Sequence, residues 1–365
     1  MTHRFFYPFS YPWLLNMKPD PNKKKLQKKF QTSKVPNVQH DKKTVVIVSP
    51  ALASANNGNW QTAKRYGQFL KTQFRVRIVS EWDGSKSDDV LIALHARRSF
   101  SSIAAWHSIN GANGLVVVLT GTDLYRDIKH DPQAQQSLEF ASRLIVLQPL
   151  GLDELPPHLR SKTEVVLQST TPRVTLSKSS RDTRAVMVGH LREEKSPRTL
   201  FEAAALLGQQ GHMQIQIKHI GAEHDQLLAT MAHQTATSYP QYQFTGALSH
   251  AETRRQIQRS HVLVHTSVME GGAHVLMEAV CSGVPVIASR IPGNMGMLGQ
   301  DYAGLFPVGD AQALADMLVR FRHDSEFEQL LKKQCALLAP LFSPEYERKT
   351  LLTIIQSLIS ARHLS

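Results

Sequence analysis

The chain has 365 residues, 42% hydrophobic and 20% charged, and carries 42 Lys and Arg against 30 Asp and Glu, a formal charge of +12. That length exceeds one ordinary core and implies two domains, and the composition is that of a soluble globular protein. Two cysteines, Cys281 and Cys335, exclude a disulfide framework and fit a reducing cytoplasm, the expected location.

Residues 1–43 hold ten Lys and Arg against two Asp and Glu, so this arm carries +8 of the +12. The basicity belongs mostly to a tail. Residues 1–43 are therefore expected to be a basic, disordered N-terminal extension, with neither nucleic acid nor a membrane as a stable partner. Its aromatic cluster, Phe5-Phe6-Tyr7-Pro8-Phe9 and Tyr11-Pro12-Trp13, is interrupted by prolines. Two readings of it are open: a surface-docking arm, or sequence upstream of a true start at Met17 or later. No apolar run approaches the roughly 18 residues that cross a bilayer, and the first residues lack the apolar segment of a signal peptide.

The folded part opens with a buried strand over 44–50, a turn at Asn56-Asn57-Gly58-Asn59 and a helix with Ala63, Tyr66, Phe69 and Leu70 on one face. Further strands are expected over 76–79, 90–95, 115–120, 144–147 and 164–167. Short apolar strands alternating with helical segments imply a parallel sheet covered on both faces. From Gln168 to Thr183, Ser, Thr, Lys and Pro replace the periodic pattern, as in a linker. Strands resume over 184–188, 215–221 and 242–246. The expected organisation is α/β: a Rossmann-like domain over 44–168, a linker over 169–183 and a second Rossmann-like domain over 184–342. A C-terminal helix over 343–365 starts behind Ser343-Pro344 and is expected to pack back toward the first domain.

The stretch from Val262 to Ser289 reads as strand, glycine turn, helix, turn and strand, with Gly271 and Gly272 where the helix begins. A helix N-terminus offers unpaired N–H groups to an anion such as a diphosphate. Glu270 and Glu278 bracket this position; carboxylates suit the hydroxyls of a ribose or hexose, not a phosphate. Arg192 and Lys195 stand one turn apart just beyond strand 184–188, where open α/β sheets bind ligands. Two cations there can stabilise a departing diphosphate without a metal. Blander readings stay open at this point: a surface salt-bridge network with Glu193 and Glu194, and a solvated Glu278.

Glu270 and Glu278, with seven residues between them and followed by Ala279-Val280-Cys281-Ser282-Gly283-Val284-Pro285, resemble the Glu-x7-Glu motif of retaining glycosyltransferases with the GT-B fold. Gly189 to Lys195 resembles their Gly-x-Leu-x-x-x-Lys segment. The resemblance implies two Rossmann-like domains whose parallel sheets face across a cleft. It implies that Arg192 and Lys195 activate the leaving group while Glu270 holds the donor sugar, the three forming the catalytic set. Glu278 would bind ribose hydroxyls, Gly272, Ala273, His274, Val275 and Leu276 the phosphates, Gly271 would also belong to the donor site, and Gly246 and Leu248 would flank the nucleobase. No metal or other cofactor is implied, because the nucleotide sugar is a substrate.

Residues 58–66, 95–99, 119–127 and 293–299 are together similar to the selenosugar synthases of selenoneine biosynthesis, which join selenophosphate to a UDP-sugar, chiefly UDP-N-acetylglucosamine, through a carbon–selenium bond. The implied substrates are UDP-N-acetylglucosamine and selenophosphate. The implied acceptor site is Gly58, Asn59, Thr62, Arg65, His95, Arg97, Thr120, Gly121, Thr122, Asp123 and Arg126, a set of donors and cations suited to a small dianion. Selenium is a good nucleophile at neutral pH and needs little base catalysis, which fits the lack of a clearly placed carboxylate base. Two alternatives stay open: transfer to a hydroxyl acceptor, and a non-catalytic nucleotide-sugar sensor.

Overall fold

The first strands are short and apolar: Thr-Val-Val-Ile-Val in β1 (Thr44–Val48), Val-Leu-Ile-Ala-Leu in β3 (Val90–Leu94) and Leu-Val-Val-Val-Leu in β4 (Leu115–Leu119). Such runs are buried on both faces, so the sheet they form needs helices above and below. The computed structural model, which describes residues 42–52 and 58–362, has this arrangement. With β2 (Arg75–Val79), β5 (Arg143–Val146) and β6 (Thr163–Val165) they form a parallel sheet of order β2-β1-β3-β4-β5-β6. Helices α1 (Gly58–Leu70), α2 (Phe100–Asn110), α3 (Ile128–His130), α4 (Pro132–Phe140) and α5 (Pro157–Arg160) belong to this first lobe.

A second parallel sheet has the order β12-β11-β10-β7-β8-β9. Its strands are β7 (Thr183–Val188), β8 (Ile215–Ile220), β9 (Tyr242–Phe244), β10 (Val262–His265), β11 (Val286–Ser289) and β12 (Leu305–Phe306). Around it run α6 (Pro197–Gln209), α7 (Gln226–Ser238), α8 (His250–Arg259), α9 (His274–Val280), α10 (Pro292–Leu298), α11 (Ala311–His323) and α12 (Ser325–Leu338). In both sheets the first strand lies inside the sheet and the chain winds outward in two directions, which leaves a crevice beyond the strand C-termini.

Alternation along each strand divides the first lobe's core. Val46, Val48 and Leu91 pack with Trp82, Trp106 and Ile103 on one face. Val45, Ile47 and Val90 pack on the other with Tyr66 and Leu70 of α1 and with Leu351, Ile355 and Leu358 of the last helix, α13 (Pro344–Arg362). The two crossings between lobes lie side by side, since Thr170 N donates to Phe342 O at 3.1 Å. The residues from Lys43 onward cluster as one compact unit.

The expectations for the basic arm fall outside the described residues, apart from Lys42 and Lys43, as does the Asn56-Asn57 part of the expected turn. Gly58 and Asn59, expected in that turn, already belong to α1. Among the described residues no helix is long and apolar enough to cross a membrane.

Candidate active site

A parallel strand leaves its last carbonyls and the following loop at one edge of the sheet, and in this chain the start of α1 and the loops after β3, β4, β7, β8, β9 and β10 converge there. They enclose a cavity of about 360 Å³ whose walls come from both lobes. Backbones come very close at its floor. A Cβ built on Gly271 would stand 2.5 Å from the Thr120 carbonyl, so only glycine permits this approach.

On the second lobe, Glu270 accepts hydrogen bonds from Lys195 Nζ and, at 2.8 Å, from Ser267 Oγ; His265 Nε2 lies 3.4 Å away. Burial alone would raise the Glu270 carboxyl, but the Lys195 ammonium and the His265 contact outweigh it and hold the group far below the usual carboxylate range. Glu270 is thus an anion that presents its remaining acceptor capacity to the cavity. Arg192 is less committed, half exposed, with Nη1 3.8 Å from Glu194 Oε1. Glu278, on α9, receives His250 Nε2 at 2.7 Å.

His190, one residue after Gly189, also lines the cavity. Its Nδ1 accepts from Ala222 N at 2.9 Å, so a neutral ring carries its proton on Nε2. Burial, reinforced by His224, Arg192 and Lys195, pushes its pKa down to about 4 and keeps it neutral. His274 behaves alike: burial lowers its pKa well below the ordinary value, and its Nε2 is buried with no hydrogen-bond partner.

The first lobe's wall centres on His95, a non-glycine residue at φ 74°. Such a conformation costs energy in a bulky residue and is held only where neighbours over-determine it. The His95 N–H donates to Val118 O at 2.9 Å, its Nδ1 accepts from Arg98 N at 3.3 Å and its Nε2 meets Thr122 Oγ1 at 3.0 Å. Burial lowers its pKa against the opposing pull of Asp123. Asp123 is fully buried and takes hydrogen bonds from Ala96 N, Thr120 N and Gly121 N, each at 2.9 Å. It ties the exit of β3 to the exit of β4.

Of the residues singled out from sequence, the cavity brings together Arg192, Lys195, Glu270, Leu248, Gly271, Gly272, Ala273, His274, Val275, Glu278, Gly58, Asn59, Thr62, His95, Thr120, Gly121 and Thr122. Six others do not line it, each for a physical reason. Arg65 is engaged by Glu347 Oε2 of α13 at 2.7 Å, and Asp123 is consumed by backbone amides. Arg97 pairs with Asp131 at 2.8 Å and Arg126 with Asp127 at 2.9 Å. Leu276 is wholly buried in the body of α9, and Gly246, at φ +70°, uses its carbonyl to hold Gly221 N while its neighbours Ala247 and Leu248 reach the cavity.

Sequence reasoning missed Arg98, Gln168, His190 and His250, which all line the cavity. Arg98 was legible only as the neighbour of Arg97; the left-handed turn at His95 decides which of the two faces inward. Among the described residues no group of three or more His, Cys, Asp and Glu is placed to hold a metal ion.

Residues 170–336, the segment that carries Arg192, Lys195, Glu270 and Glu278, match the family model described as glycosyl transferases group 1. The sheet order and layering are those of the GT-B fold, and residues 170–336 carry the sequence features of glycosyl transferases group 1, as the motifs implied. Its structure is similar to that of a sucrose-phosphate synthase from Thermosynechococcus elongatus, at 16% identity and a TM-score of 0.70, covering 88% of this chain and 100% of that one. It is also similar to HepE from Anabaena in complex with UDP and glucose, at 15% identity and a TM-score of 0.65, covering 87% and 100%. A glycosyltransferase from Rickettsia africae matches at 13% identity and a TM-score of 0.67, covering 88% and 99%.

Proposed function

We propose that this glycosyltransferase moves the sugar of UDP-N-acetylglucosamine to selenophosphate, making a selenosugar. The observation that carries the proposal is the chemistry of the two walls. The second lobe sets Lys195 and Arg192 beside Glu270 and Glu278, cations for a diphosphate next to acceptors for hydroxyls. The first lobe offers Asn59, Thr62, Arg98, Thr120 and Thr122, and among the described residues lining the cavity none is Phe, Tyr or Trp. Small polar donors and a cation suit a small dianion, whereas a glycan acceptor favours aromatic platforms. The HepE crystal structure with UDP and glucose supports a UDP-sugar as donor for the fold.

In this reading a selenium lone pair attacks the anomeric carbon, a C–Se bond forms, and the C–O bond to the β-phosphate breaks with its electron pair leaving on UDP. Lys195 and Arg192 meet the charge that grows on the diphosphate, and Glu270 orients the sugar through its hydroxyls. Neither cofactor nor metal enters the scheme.

A second reading keeps the donor and replaces selenophosphate by a hydroxyl acceptor. His95 favours it, since Asp123 and Asp127 lie 3.9 and 3.8 Å from its ring nitrogens and a hydroxyl nucleophile needs a base.

Mass spectrometry of purified protein with UDP-N-acetylglucosamine and fresh selenophosphate separates the two. A selenium isotope pattern on a hexosamine mass, unchanged by chelator, supports the first reading. UDP release without a selenium product returns the chain to the hydroxyl-acceptor reading. Loss of the selenium product with chelator would show that the cations alone do not suffice.

A further inference from the structure

Arg254 lies on α8, outside the cavity wall, with 6% of its surface exposed. Its guanidinium is shared between two places. Nη1 donates to Thr170 Oγ1 at 2.6 Å and Nη2 to Thr171 O at 2.8 Å. Both acceptors belong to the crossing from the first lobe to the second, where Thr170 N also holds Phe342 O of the return crossing. The third side, Nε, faces Glu278 Oε1 at 3.9 Å and is buried without a hydrogen-bond partner. A buried N–H left unpaired is costly, and a shift of about 1 Å would bring it to ordinary hydrogen-bond distance from the carboxylate.

Further contacts lay the same segment along the site helix. Arg173 N donates to Cys281 O, just past α9, at 2.8 Å. A Cβ on Gly283 would stand 2.0 Å from Thr175 Oγ1. The crossing therefore rests on α8 and on the end of α9, the helix that presents Glu278 to the cavity.

We propose that Arg254 is a positioning residue that couples the two lobe crossings to Glu278. When hydroxyls of the donor's ribose engage Glu278, the carboxylate moves onto Arg254 Nε, and the guanidinium transmits that shift to Thr170 and Thr171. Donor affinity thus depends on a residue, Thr170, that lines no part of the cavity. This role presupposes the UDP-sugar site proposed above.

The test is calorimetric titration with UDP, and with pyrophosphate as a probe lacking the ribose, on wild type, Arg254→Lys, Glu278→Gln, their double variant and Thr170→Val. Thermal unfolding reports whether each variant folds. Arg254→Lys keeps the charge but loses the planar fork, and UDP binding is expected to weaken about tenfold while pyrophosphate binding holds. The double variant should bind UDP no more weakly than Glu278→Gln alone, because the two act as a unit. Thr170→Val, nearly isosteric, should weaken UDP binding by about threefold or more. Additive losses, equal losses for pyrophosphate, or an unchanged Thr170→Val would overturn the coupling while leaving the UDP site standing. Failure of the wild type to bind UDP would overturn the functional reading and this coupling with it.

Discussion

Gly121 of the first lobe and Gly271 of the second meet backbone to backbone: a Cβ on Gly121 would stand 3.1 Å from Gly271 N, and one on Gly271 2.5 Å from Thr120 C and O. No flexible side chain can yield at this contact. Gly271→Ala must push the loop after β10 away from the loop after β4, displacing Glu270 from the opposing wall. Displacements near 1 Å cost about a hundredfold in turnover, and such a loss is expected in steady-state assays while the thermal midpoint changes little.

Adjacent arginines give a clean contrast. Arg98 lines the cavity, whereas Arg97 is an exposed partner of Asp131. Arg98→Ala removes a charged donor from the first lobe's wall, where the proposed acceptor would bind, and is expected to raise the acceptor KM by about tenfold or more. Arg97→Ala breaks only a surface pair worth under about 1 kcal/mol. Equal effects of the two on acceptor KM would contradict the placement of the acceptor against the first lobe.

His219 is fully buried beneath the cavity, with Nε2 3.0 Å from Gly189 O and Nδ1 2.9 Å from Tyr242 OH. Burial pushes its pKa down to about 4, against the opposing Gly189 hydrogen bond. In the unfolded chain the ring takes its proton near pH 6.5, so its contribution is whole above that pH and is lost as pH falls toward 4. The loss is on the order of 3 kcal/mol. Urea unfolding from pH 7.5 to 4.5 should show this decline together with those of His190 and His274, and His219→Gln should make it shallower.

Arg65 and Glu347 form a buried pair, with side chains 13% and 0% exposed. Arg65 Nη2 and Tyr66 OH remain unpaired beside it. Removing one partner strands the other charge, so Arg65→Met is expected to cost about 3–5 kcal/mol in denaturant unfolding. The double variant Arg65→Met with Glu347→Leu should recover much of that, since the desolvation penalty disappears with both charges. A double variant as unstable as the single one would mean that packing, not charge, sets the cost.

Most of the strands were legible because buried parallel strands write themselves as β-branched runs, and Glu270, Glu278 and the glycines between them stand in one local segment. Side-chain direction at the strand exits was not. His95 adopts a left-handed backbone that its residue type does not announce, and this turn separates Arg98 from Arg97. Arg65 resembled a binding cation until α13, some 280 residues later, supplied Glu347. Asp123 likewise matched an acceptor motif while its oxygens were taken by three amides from two loops. Local chemistry is readable in a sequence; which partner reaches a group first is a property of the whole fold.

The placement of α13 has a consequence for synthesis. Leu351, Ile355 and Leu358 complete an apolar face begun by Val45 and Ile47, so the earliest strands stay unsealed until a helix about 300 residues later has been made. At roughly 5–20 residues per second, the nascent first sheet waits many seconds for its last helix. During that interval the ribosome carries a finished second lobe beside an open one, and a holdase that shields apolar sheet faces would find its target in the older half of the chain.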